Sequence, residues 1–195
     1  MKYKIFNILI SWSLIILFGC GFYSFKGSIP AHIKSIYIAP IENNTIEATA
    51  SENMKTQLDE AMINENILKL LPIDEADSQL NIHITSFTDK PFSYDIESLD
   101  SLGYEKVNEK RITINVEVAW VDLKNNSVLF EENLSSWGAY DPNQEDISSD
   151  NIDNDNDTYI DEDDVDEFGL PRESAIRIAT RKISERIISN IISTW

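Results

Sequence analysis

The chain has 195 residues and a formal charge of −18, from 34 Asp and Glu against 16 Lys and Arg. That balance excludes a nucleic-acid binder, which needs a basic face to neutralise phosphates, and electrostatic adhesion to anionic lipid. A hydrophobic content of 42% excludes a chain that is disordered overall, and the length fits one domain.

The chain opens on Lys2 and Lys4, followed by an uncharged apolar run, Ile5–Phe18. This is the n-region and h-region of a secretory signal, and the run is short for a spanning helix. Gly19 and Cys20 close it, and Cys20 is the one cysteine of the chain. A cysteine after a small residue at the end of an apolar signal is the arrangement that bacterial lipoproteins acylate. We therefore expect cleavage after residue 19, lipid on Cys20 and attachment to a membrane through that lipid; a plain secretory signal and an uncleaved anchor are the alternatives. Phe18 departs from the pattern, since a small residue is usual there. Several acyl chains on one residue hold far more tightly than a single chain. The mature chain then has 176 residues and a charge of −20.

Residues 21–32 read as an extended linker lying on the domain, with Gly21, Gly27 and Pro30. Residues 33–40 alternate in polarity and end at Pro40, which predicts a strand. Thr49 and Glu52 have capping-box spacing, and Met54, Leu58, Ala61 and Met62 follow at helical intervals, predicting a helix over 51–64. Ile67–Leu71 predicts a brief extended segment. Leu80, Ile82 and Ile84 predict a second main strand, and 88–106, with Pro91 and Gly103, reads as a connection to the next. Ile112, Ile114, Val116, Val118 and Trp120 share one face of the clearest strand, 111–121, with Thr113, Asn115 and Glu117 on the other. Asn125 and Asn126 supply the turn, and 127–137 returns with Val128, Phe130, Glu132 and Leu134 on one face. Pro171 opens a closing helix with a stripe of Ile176, Ala179, Ile183, Ile187 and Ile191. The order β-α-β-β-β-α predicts an α+β two-layer sandwich: a mainly antiparallel sheet of about four strands with two helices on one face. Residues 33–195 form one domain with an acidic insertion at 141–170.

From Glu145 to Glu167 there are 12 acids, and no Lys or Arg falls between Lys124 and Arg172. Within this stretch Asp153, Asp155 and Asp157 have the 1, 3, 5 spacing of an EF-hand-like calcium loop. Tyr159 would lend its carbonyl at position 7, Asp161 stands at 9 and Asp164 at 12. Such a loop wraps oxygen ligands around a hard divalent cation, and the pattern resembles the aspartate repeats of thrombospondin type 3 and dockerin modules. Thr158 stands where Gly is usual and Asp164 where a bidentate Glu is usual. A solvated acidic loop is the other reading. No nucleophile elbow, phosphate-cradling glycine loop or zinc spacing occurs, and His32 and His83 have no ligand-spaced companion. The chain reads as a non-enzyme with no required cofactor.

Gly19-Cys20-Gly21-Phe22-Tyr23-Ser24-Phe25-Lys26-Gly27-Ser28-Ile29-Pro30 resembles the mature start of the LptE family, the lipopolysaccharide-assembly lipoproteins of Gram-negative envelopes. Ile33–Asn43 is similar to the family's first strand and its exit. The strand at 111–121 and the helix ending in Trp195 match in order and spacing. The resemblance implies an outer-membrane, lipid-anchored protein that plugs a large β-barrel of the LptD type, helps it assemble and contacts lipopolysaccharide. Gly21 after the cysteine, in place of a retention Asp, fits outer-membrane sorting. The rival expectations are a calcium-dependent envelope adhesin or scaffold working through 145–167, and a periplasmic lipid carrier. A carrier needs an apolar cavity, whereas a plug needs a polar, partner-covered sheet face.

Overall fold

A computed structural model describes residues 30–99, 102–160 and 168–193. The signal at 1–19, Cys20 and the linker to residue 29 lie outside the described residues, as do Asp161 and Asp164. The elements are β1 (Ser35–Ile38), β2 (Glu42–Asn43), α1 (Ala48–Glu65), β3 (Lys69–Leu70), β4 (Ser78–Leu99), β5 (Leu102–Asp122), β6 (Ser127–Tyr140) and α2 (Pro171–Ser193). Strand order is β3-β1-β4-β5-β6, and β2 also pairs with β4. The long β4-β5 and β5-β6 ladders are antiparallel; the short β1, β2 and β3 contacts are parallel. The two-layer α+β class is as expected; the brief extended segment at 67–71 supplies β3, and β2 is added to the four main strands.

Both helices bury one stripe. In α1 the buried residues are Ala50, Met54, Leu58 and Met62, one every fourth position. In α2 they include Ile176, Ile183, Ile187 and Ile191. They cover Leu80, Ile82 and Ile84 of β4 and Ile112, Ile114, Val116, Val118 and Trp120 of β5, forming one core. Burial of each such large side chain contributes about 1.5–3 kcal/mol. Gly138 lets β6 approach α2: a Cβ there would sit 2.2 Å from the Ala175 carbonyl oxygen.

Four expectations need correction. The first helix starts at Ala48, so Thr49 lies inside it; Glu47 is the N-cap and makes no side-chain cap bond. The segment 88–106 is the upper part of one long hairpin, because β4 and β5 pair as far as Leu99 and Leu102. Pro91 is accommodated by a register shift between Pro91 and Ser93, where the ladder is already broken and no third strand requires its missing N–H. A bulge at Trp120/Val121 places Val128 opposite Val121 and leaves it exposed, while Phe130 and Leu134 pack inward. The return strand also runs three residues further, to Tyr140.

The end where β1 begins is tied by carboxylates. Asp122 accepts hydrogen bonds from the main chain of Lys124 and Asn125, and from the Asn125 amide at 2.8 Å; His32 Nε2 lies at 2.8 Å. Burial would raise the Asp122 carboxyl pKa. The bonds from Asn125, His32 and Lys124 outweigh it and hold the group below the ordinary carboxylate range. Asp77 is lowered in the same way by the Lys34 N–H and the Ser35 hydroxyl.

Candidate functional site

Among the described residues the helices cover one face of the sheet and leave most of the other uncovered, with Ala139 on it buried. Register places its rows as follows, starting from the end where the chain enters. Asn81, Ala119 and Glu131 lie side by side, then His83, Glu117 and Asn133, then Ser86, Asn115 and Ser135, then Thr88, Thr113 and Trp137. Lys90 and Arg111 pair beyond them. Small and polar side chains therefore carry most of this face. A hollow of about 220 Å³ opens on it, lined by Glu42, Asn81, His83, Glu117 and Glu131 among others. His83 Nδ1 lies 3.6 Å from the Glu117 carboxylate, and its Nε2 is buried with no hydrogen-bond partner.

Above Lys110, which pairs with Tyr140 as the last rung of β6, β4 and β5 pair only with each other. They form a two-stranded arm about 30 Å long from Pro91 to Leu99. Its root is a knot of polar and aromatic contacts. Asp89 receives Lys110 at 2.9 Å, the Tyr140 hydroxyl at 3.0 Å and Arg172 at 3.3 Å, and Arg172 also reaches Glu47 at 2.6 Å. The Asp89 carboxylate raises the Lys110 pKa against the opposing effect of burial, and burial raises that of Tyr140. The Arg111 guanidinium lies 3.3 Å from the centre of the Phe92 ring and 4.0 Å from that of Trp137. It also bonds Glu109 at 2.6 Å.

The acidic insertion leaves β6 at this same end. Its base closes on itself: Ile147 N–H donates to the Gly169 carbonyl at 3.2 Å, and Gly169 N–H to Asp146 at 3.2 Å. Asn154, fully buried, caps the β6 edge. Its carbonyl accepts from Ala139 N–H at 2.9 Å and its amide donates to the Ala139 carbonyl at 2.8 Å. Carboxylate oxygens of Asp153, Asp155 and Asp157 lie within 4.8 Å of one another. Asp153 accepts main-chain N–H groups of Asn156, Asp157 and Thr158, and Thr158 is left-handed at φ 85°. Asp155 is paired with Arg181 at 2.7 Å, and Lys182 donates to its carbonyl. Tyr159 is exposed. Three of the six expected metal-loop residues thus come together on the acidic loop.

Asp89, Arg111, Arg172, Glu42 and Glu131 were not anticipated. Asp89 sat in a segment read as a connection, and Arg172 read as the polar side of a helix. The partnership between them spans 83 positions and has no local signal. The two histidines have separate partners, Asp122 and Glu117.

A mostly polar outer sheet face, a projecting hairpin and a helical layer on the far side define a two-layer α+β domain. The LptE family model, described as lipopolysaccharide-assembly, matches residues 33–191, so the chain belongs to the LptE family. Its role is in lipopolysaccharide assembly. No curated protein matches it. Among solved structures it is similar to rare lipoprotein B from Shewanella oneidensis, with 12% identity, TM-score 0.38, and coverage of 81% of this chain and 95% of that one. It is also similar to the hypothetical protein CT253 from Chlamydia trachomatis, with 10% identity, TM-score 0.49, and coverage of 82% and 95%. Protein XCC0632 from Xanthomonas campestris has 9% identity, TM-score 0.49, and coverage of 85% and 89%. Among the described residues no helix is long and apolar enough to cross a membrane.

Proposed function

We propose that this protein is an outer-membrane lipoprotein, anchored through Cys20, that seats inside a large β-barrel of the LptD type and contacts lipopolysaccharide during its export. The carrying observation is the bare sheet face, with Asn81, His83, Thr113, Asn115 and Glu117 on its rows. Barrel lumens are polar, so a plug needs a polar contact surface, whereas a membrane-facing surface would be apolar. The work is binding and structural, without a catalytic step. The test is a mild-detergent pull-down of C-terminally tagged protein from its native envelope, with mass spectrometry of the eluate. A stoichiometric large outer-membrane β-barrel that survives high salt is expected. Recovery of the lipoprotein alone would overturn the reading.

Calcium on the insertion is a second, narrower proposal, supported by the convergence of Asp153, Asp155 and Asp157. Calorimetric titration should give binding heat that Asp153→Asn with Asp157→Asn abolishes; no heat with the unaltered protein would remove calcium from the account.

A further inference from the structure

The ladder of the arm is broken twice, on opposite strands. Pro91 pairs with Lys110, Ser93 with Glu109 and Tyr94 with Val107, which leaves Phe92 of β4 and Asn108 of β5 without a residue opposite. Each is one extra residue that interrupts pairing and bends its strand, and the second restores the register that the first shifts. Both lie above Lys110, where β6 has ended and no third strand splints the break. Below it, Asp89 holds Lys110, Tyr140 and Arg172 together. The break is therefore the weakest point between the domain and the arm, since a two-stranded ribbon is only marginally stable by itself.

Two contacts bridge the break. Arg111, below it, lies against the rings of both Phe92 on the arm and Trp137 on β6, and its Nε donates at 2.6 Å to Glu109, which sits between the two extra residues. Above the break, the Asn143 amide donates to the Val107 carbonyl at 2.8 Å. Asn143 belongs to the base of the acidic insertion and is itself held by Asp141, which accepts from its main-chain N–H and its amide at 2.7 Å. Phe92 and Asn143 are exposed, so these contacts can part without opening the core. We propose that the arm pivots at this double break, and that the Arg111 stack and the base of the acidic insertion form the brace that fixes its direction. A few residues would absorb the change in backbone angles while the packed layers stay rigid, as in other hinges. The start of the insertion thus has a mechanical role that needs neither a metal nor a partner. The brace works in the free lipoprotein, whatever the bare face meets.

The experiment uses the full-length lipoprotein in detergent and reads the distance between nitroxide labels at Asp95 on the arm and Glu52 on α1 by pulsed electron paramagnetic resonance. The labels are attached through keto-bearing amino acids at these two exposed positions, which leaves Cys20 untouched. With the labels alone, one narrow distribution is expected. Phe92→Ala with Asn143→Ala removes both bridges and should broaden it about twofold. Tyr94→Ala, which removes an exposed ring of the arm outside the brace, should leave it narrow. Deleting Phe92 together with Asn108 joins the paired rungs into one uninterrupted ladder, and should keep the distribution narrow although the stack is lost. A broad distribution before any brace residue is changed, or a narrow one in the Phe92 and Asn143 double variant, would overturn the proposal. So would a deletion variant as broad as that double variant, or equal broadening by Tyr94→Ala, since the pivot or the brace would then lie elsewhere.

Discussion

Asp122 is buried beside His32, Asn125 and Lys124, and its charge is satisfied by their donors. Asp122→Ala leaves those donors unpaired and should cost about 1–3 kcal/mol in urea unfolding. Asp122 and Asp77 both have folded pKa values below their unfolded ones. Their stabilisation is therefore complete above the ordinary carboxylate pKa and is lost as pH falls through the lower folded values. Asp122→Asn should flatten the acid limb of the stability curve; an unchanged limb would contradict the assignment. Gly138 makes a second claim at this scale. Any side chain there collides with the main chain of Ala175, so Gly138→Ala should destabilise by at least about 1–3 kcal/mol, read as a lower denaturation midpoint. Neither position was legible in the sequence. Nothing local marks Asp122 or Gly138, because their partners lie 90 and 37 positions away.

Among the elements, those with a long regular apolar period were readable. The isoleucine stripe of α2 and the alternation of β5 are each sustained for several repeats and match the buried residues closely. Ile183→Ala should therefore cost about 2–5 kcal/mol. The arm was not readable, since Pro91 and Gly103 are breaker signals and its strands lack a third neighbour to impose alternation. The same isolation yields a prediction. Replacing residues 94–108 with Asn-Gly should leave the unfolding midpoint of the domain nearly unchanged, because the Asp89 knot and the core lie below the cut and the bond it removes from the Asn143 amide to the Val107 carbonyl is exposed. A fall of many degrees would show that the arm packs back on the domain.

At the scale of the whole molecule the two ends differ. The chain enters beside Asp122, where the proposed lipid anchor leads, and the arm root and acidic insertion occupy the opposite end. The family was legible from the order of short segments, and the polar side of 111–121 from its alternation; the hollow, and which residues of the neighbouring strands line up beside it, needed the register of three strands. The most direct test of the plug reading is site-specific photo-crosslinking from Asn115 and Asn133, both on the bare face, in living cells. Crosslinks from both positions to one large outer-membrane β-barrel are predicted. Accumulation of the lipoprotein in the outer membrane with no barrel adduct from either position would contradict the account.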